Sequence, residues 1–435
     1  MQKPSSEARL RTSIFVIGFG VLAIFFLNNV LGSINFSANE WTFPHLLPTQ
    51  QPPGSDFYWG IYVPAELLRS GRSPYALFNC YPPLVSVFGL PYTFLSMRVA
   101  YTIHLVLLFA ANVAVLRLSV DLAARAFRPV GAPASRVGIT TPLLMLMTFA
   151  QFTSYGFLFS LERGNSDIFA MLLSVVVLWL VIRRPRTLFT QVVLLSIAVH
   201  LKVYPGILFI LLFRRHRWRC LLPALLCNVG LSLILGWKPI PEVLAGIKSA
   251  STFEGYMVLN HSVNSFVATV LNPTWDISRR GGLLLVALPA MVWTVGVLVL
   301  WRRPFSAKNA LLMFALSVPV MHLVTNISFD YKLVITAAPI AMLLCACVVR
   351  FAADGSKAAA LTGCTLLVLM GVISRSYTVT PFPWVANKCP AILLLELLVL
   401  AAIVVPGVTS PVLGTRRNSP ARPREASLQS SSVLS

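Results

Sequence analysis

Acidic residues are scarce in this chain: 14 Asp and Glu stand among 435 residues, against 35 Lys and Arg. Charged residues of both signs make up only 11%, hydrophobic ones reach 57%, and the mean hydropathy is +0.77. Those values exclude an ordinary water-soluble globule. The seven cysteines are an odd, scattered set lying mostly in or beside apolar blocks, so neither a disulfide framework nor a zinc site is indicated. There is no Walker loop and no strand-borne glycine fingerprint, which leaves a nucleotide-sugar site built on loop and helix N–H groups unsupported. No internal repeat is visible, an argument against an inverted-repeat transporter.

What the chain has in quantity is apolar blocks, many near the ~20 residues that a helix needs to cross a bilayer. They predict an all-α polytopic membrane protein with about twelve transmembrane helices. The expected spans are 12–32, 99–118, 139–159, 168–183, 187–201, 203–213, 219–236, 282–301, 308–326, 333–350, 358–374 and 390–408. The net charge of +21 does not point to nucleic acid, because no aromatic-basic module accompanies it. Its distribution instead sets topology. With both ends in the cytoplasm, inner segments carry 23 of the 35 Lys and Arg, and nine of the 14 acids fall on the opposite side. This places the protein in the cell inner membrane with its larger loops, 33–98 and 237–281, at the outer face.

The first block follows Lys3, Arg9 and Arg11 as a signal peptide would, but its length and the lack of a small-x-small cleavage site predict a retained anchor. The segment 82–95 is short and broken by Pro91, so it is expected to lie at the outer face as an interfacial or re-entrant helix. Residues 187–213 suit a hairpin of two short helices bent near Pro205. The expected organisation is a cytoplasmic N-tail (1–11), one transmembrane domain (12–409) and a Ser-, Pro- and Arg-rich cytoplasmic tail (410–435) expected to be disordered.

Against this background each retained polar group raises a question. Asp56 stands among aromatics just after an apolar segment, in an outer loop that continues through Arg72, Tyr75 and Tyr81. A carboxylate held there partly out of water is a candidate general base, the bland reading being a solvated loop acid. The second outer turn, "LERGNSDIF", supplies Glu162, Arg163, Asn165 and Asp167; a third supplies His200, Lys202 and Tyr204; a fourth His261, Ser262 and Asn264; a fifth Asn326, Asp330, Tyr331 and Lys332. A lysine near membrane depth either snorkels or meets a phosphate. All five polar clusters fall on one face, uniting a base candidate, cations for a phosphate, and amides and hydroxyls for a sugar. His104 and His322 read as packed, hydrogen-bonded core residues, and Glu396 as a structural pair or a protonated acid.

The order of "SDFYWGIYVPAELLRSGRSPY", "YPPLVSVFGLP", "LERGNSDIF" and "HLKVYPGILF" resembles the polyprenyl-phosphate-mannose-dependent alpha-mannosyltransferase family of the GT-C superfamily, over roughly residues 10–350. The resemblance implies a GT-C-like helical domain with an active-site cavity formed by outer-face loops. It carries the family's catalytic base onto Asp56, its polar turn onto Gly164–Asp167, and its lysine-proline turn onto Lys202 and Pro205. The late outer loop departs from the family, with Phe329, Asp330, Tyr331 and Lys332 where a tryptophan and paired histidines are common, which leaves donor sugar and acceptor open. The resulting expectation is an inverting hexosyltransferase, a mannosyltransferase in the first instance. It would work between a polyprenyl-phosphate sugar and a lipid or glycan acceptor among membrane lipids, with no metal or other cofactor. Expected substrate contacts are Arg72, Tyr75, Tyr81, Glu162, Arg163, Asn165, Asp167, Lys202, Tyr204, His261, Asn264 and Lys332. The alternatives are a transporter or flippase of a lipid-linked or polar solute, and a non-catalytic envelope scaffold.

Overall fold

A computed structural model of the chain describes residues 54–77, 79–128, 140–252, 260–272, 279–375 and 386–405. The expected anchor at 12–32 and both expected tails lie outside these residues. Among the described residues the chain is helical, and its sole β feature is a bridge between Asn260 and Phe329.

Four helices are long and apolar enough to cross a membrane: Met97–Ala126, Leu284–Trp301, Asp330–Ala353 and Lys357–Ser374. A fifth crossing results if Thr141–Phe152 and Tyr155–Arg163, bent by 59° from one another, are taken together. The protein is thus a helical membrane protein, and four or five of the twelve expected spans meet the length criterion among the described residues. Others appear as shorter helices, such as Asp167–Arg183 and Ala307–Leu323 with 17 residues each and Leu188–Leu201 with 14. At ~1.5 Å per residue, 17 residues reach about 26 Å, short of a hydrocarbon layer of ~30 Å. Ala307–Leu323 is apolar for another reason: every residue from Asn309 to Leu323 is buried by neighbouring helices.

Met97–Ala126 lies against Ala337–Asp354, Thr140–Phe152 and Asp167–Arg183, while Ala307–Leu323 packs on Cys389–Val404 and Arg279–Trp301. Within lipid such association comes from close packing, since the tails are as apolar as the side chains. Gly296 illustrates it: a Cβ there would lie 2.4 Å from Leu316 Cδ2. His104 and His322 are fully buried and hydrogen bonded, as expected. Glu396 is also buried, and neither of its carboxylate oxygens has a hydrogen-bond partner among the described residues.

Helix breaks position the polar groups. The segment 82–95 forms a short helix, Pro83–Gly89, tightening into a 3-10 turn at Leu90–Phe94. Leu188–Leu201 ends at Lys202, after which Pro205, lacking an N–H, sits in the 3-10 turn Tyr204–Leu208 before Phe209–His216 resumes. Ser154 caps Tyr155–Arg163 by accepting from the Phe157 N–H at 3.3 Å, and Gly164 terminates that helix in the left-handed region at φ +66°. A 3-10 helix, Asp330–Thr336, leads into Ala337–Asp354.

Candidate active site

The site begins with two glycines. Gly54 precedes the short helix Ser55–Phe57 at φ +75°, a conformation that suits a residue without a side chain. Its N–H donates to the Glu162 carbonyl at 2.6 Å, which ties the segment that begins at Gly54 to the 162–167 turn. On the other side Gly164 leaves room for Phe57, because a Cβ at 164 would lie 2.6 Å from Phe57 Cβ. The Tyr101 hydroxyl lies 2.9 Å from the carbonyls of both Leu161 and Glu162. His104 Nε2 donates to the Gly164 carbonyl at 3.0 Å, and its Nδ1 accepts from the Tyr92 hydroxyl at 3.2 Å.

This framework delivers Asp56 to Arg163 and Asn165. Arg163 donates to Oδ1 from Nε at 3.0 Å and from Nη2, and Asn165 Nδ2 donates to Oδ2 at 2.9 Å. The Asp56 and Arg163 side chains are 14% and 16% exposed, largely withdrawn from water yet reachable. Asn165 continues the chain, its Oδ1 accepting from the Asp167 N–H at 3.1 Å. Asp167 Oδ1 in turn accepts from the Tyr204 hydroxyl at 2.7 Å and lies 3.8 Å from Lys202 Nζ.

Lys202 is enclosed by aromatic rings. Its Nζ donates to the Tyr81 hydroxyl at 3.3 Å and lies 4.7 Å from the Tyr81 ring centre and 5.6 Å from that of Tyr331. Burial works against its charge, but the surrounding negative groups, Asp167 first and Asp56 among them, outweigh that cost and hold the ammonium above its ordinary value. Burial, followed by the charge of Asp56, pushes the Tyr81 phenol well up, so it stays a hydroxyl.

The remaining candidates divide. Tyr75 donates to the Tyr81 carbonyl at 2.9 Å and so shapes the loop beneath Lys202. Glu162 is buried and lends its backbone carbonyl to the framework. Lys332 adjoins the patch, its Nζ 4.4 Å from the centre of the Tyr204 ring, but it donates to the Met321 carbonyl and to Thr325 Oγ1 at 3.1 Å. Arg72 lies exposed on a turn, and its side chain joins none of these contacts. Asn264 donates to Asn326 Oδ1 at 2.9 Å, and His261 is buried against Asp330, both within a second polar cluster. Asp56 and Asp167 meet only through Asn165, with Arg163 and Lys202 beside them; among the described residues no group of three or more His, Cys, Asp or Glu is placed to hold a metal ion.

The arrangement unites a partly shielded carboxylate with two cations inside a helical membrane fold. A sequence profile matches residues 79–326, more than half of the chain, and its description is glycosyltransferase family 87. The chain belongs to this family. No curated protein matches it. The family 87 match spans Tyr81, the 162–167 turn, Lys202, Tyr204, His261 and Asn264, and stops short of Asp56 on one side and Lys332 on the other. Family membership and the apolar helices together make this a membrane glycosyltransferase of family 87. Sequence reading missed the supports Gly54, Phe57 and Tyr101, while His104 is the packed, hydrogen-bonded residue that the sequence predicts. The available signal was a pair of glycines bordering two polar stretches of an otherwise apolar chain.

Proposed function

We propose that this family 87 protein is an inverting hexosyltransferase that moves a sugar, mannose in the first instance, from a polyprenyl-phosphate donor to a lipid or glycan acceptor at the outer face of the inner membrane. The observation that carries the reading is the continuous contact path from Asp56 through Arg163 and Asn165 to Asp167 and Lys202. In the proposed step Asp56 takes the proton of an acceptor hydroxyl as that oxygen bonds to the anomeric carbon. The bond from that carbon to the phosphate oxygen breaks with its electron pair, and one displacement inverts the centre. Arg163 and Lys202 meet the charge on the departing lipid phosphate. One carboxylate suffices, because phosphate leaves without the protonation that a sugar alkoxide requires from a glycosidase acid. Tyr81, Tyr204 and Asn165 supply hydroxyl and amide groups for the sugar.

The test is transfer from radiolabelled polyprenyl-phosphate mannose to membrane lipids by the purified full-length protein. Transfer by the wild type, reduced about 10²- to 10⁴-fold in Asp56→Asn, as general-base loss requires, and retained in the exposed control Lys238→Ala, supports the reading. Full transfer by Asp56→Asn refutes it. Movement of solute across liposomes with no sugar transfer favours the transporter instead.

A further inference from the structure

The second polar cluster lies where residues 260–262, residues 326–332 and the entry to the Cys389–Val404 helix meet. Asn260 joins all three. Its Oδ1 accepts from the N–H groups of Ser328 at 2.9 Å and Ser262 at 3.2 Å, its Nδ2 donates to the Asn326 carbonyl at 2.7 Å, and its carbonyl accepts from Asn387 Nδ2 at 2.9 Å. The next residue, His261, donates its N–H to the Ser328 carbonyl at 2.8 Å and turns its ring across the junction.

The ring's hydrogen bonds fix its tautomer. A backbone N–H can only donate, so the contact from the Lys388 N–H to His261 Nδ1 at 3.0 Å makes Nδ1 the acceptor. The ring proton therefore sits on Nε2, which donates to Asp330 Oδ1 at 2.8 Å. Both nitrogens are used and the ring is 0% exposed, so a sugar hydroxyl could reach His261 only by displacing a protein partner. The expectation that His261 contacts substrate finds no opening here. Lys388 reinforces the junction: burial pushes its ammonium down to about 8, and the Asp330 carboxylate opposes that shift.

Asp330 is the first residue of the 3-10 helix that also carries Tyr331 and Lys332. Tyr331 lies against Lys202 and Lys332 against Tyr204, so two walls of the site depend on a segment anchored at Asp330. A 3-10 helix has poorer hydrogen-bond geometry than an α-helix and needs such tertiary anchoring.

We infer that His261 is a positioning residue that, through Asp330, pins the Asp330–Thr336 helix and thereby keeps Tyr331 and Lys332 in register with Lys202 at the leaving-group end of the site. The kinetic consequences rest on the proposed transfer reaction; the structural one rests on the contacts alone.

Amide hydrogen exchange and steady-state kinetics of the full-length protein test both. In His261→Ala and Asp330→Ala, exchange should quicken over 328–336 while 55–69 stays as in the wild type. Turnover should fall about 10- to 100-fold, the scale of a ~1 Å misplacement, with donor and acceptor KM held within about twofold. The double variant should be no slower than either single one. Asp330→Asn, whose amide oxygen still accepts from Nε2, should retain most of kcat, and it serves where an alanine variant does not fold. Unchanged exchange in His261→Ala overturns the inference. A raised KM with intact kcat also overturns it, since that marks a direct substrate contact. An Asp330→Asn variant as slow as Asp330→Ala does so too, because the carboxylate would then be needed for more than accepting one hydrogen bond. If the wild type transfers no sugar, the proposed reaction falls and the exchange result alone decides whether His261 pins the helix.

Discussion

Gly164→Ala adds one methyl group at the point where the two halves of the site touch. Two costs follow from the geometry. At φ +66° an L-residue is strained by about 1–2 kcal/mol. The added Cβ would also lie 2.6 Å from Phe57 Cβ and 3.0 Å from a Tyr101 ring carbon. Relieving such overpacking costs about 1–3 kcal/mol. The expected destabilisation is therefore about 2–5 kcal/mol. Gly71 provides the control, for it has φ +74° but nothing within 4 Å of its hypothetical Cβ, so Gly71→Ala should show only the backbone cost. Denaturation of both variants in detergent micelles measures the difference. Phe57 follows Asp56 directly, so its displacement should also misplace the carboxylate and lower sugar transfer by up to about 10²-fold. A Gly164→Ala protein that matches Gly71→Ala in stability and the wild type in turnover would refute the clasp described between these segments.

Arg163→Lys removes one of the two nitrogens that grip Asp56 Oδ1, and transfer should fall by about tenfold or more in the same assay. Lys202→Met takes away the cation assigned to the departing phosphate; kcat should drop by about 10²- to 10³-fold, the scale seen when one preorganised charge-stabilising group is removed, and a loss below threefold would count against that role. For Lys388 the folded pKa, about 8, lies below the unfolded value of 10.5. The unfolded chain then holds the extra proton between these limits, so stability rises with pH across that window and is lost again as pH falls through about 8. Lys388→Met should flatten that part of the curve relative to the wild type, as read by thermal unfolding at a series of pH values.

The polar groups of the site were legible because the chain is otherwise apolar. Asp56, the 162–167 turn and the Lys202–Tyr204 turn each interrupt hydrophobic sequence at a price in membrane insertion. Loop charge gave the expectation that they share one face, and the structure brings these three into one path of contacts. The number of crossings was less legible. Hydropathy responds equally to lipid and to protein surroundings, so a helix like Ala307–Leu323, enclosed by other helices, looks like a span of ordinary length. The bonding of His261 was hidden for a related reason: its Nδ1 partner is the N–H of Lys388, 127 residues away, and no local pattern announces it. Arg72 followed from its neighbours in the loop, but the turn after Arg69 leaves it facing outward.

The clasp between the two glycine-bordered segments has a mechanical consequence. With the backbone bond from Gly54 to Glu162 on one side and Phe57 Cα and Cβ seated against Gly164 on the other, the segments that carry Asp56 and Arg163 are joined on both sides of that ion pair. On the opposite wall Lys202 is held by side chains, 3.8 Å from Asp167 Oδ1, donating to the Tyr81 hydroxyl at 3.3 Å and resting on the Tyr81 and Tyr331 ring faces. A displacement of either segment therefore reaches the acid and its arginine together.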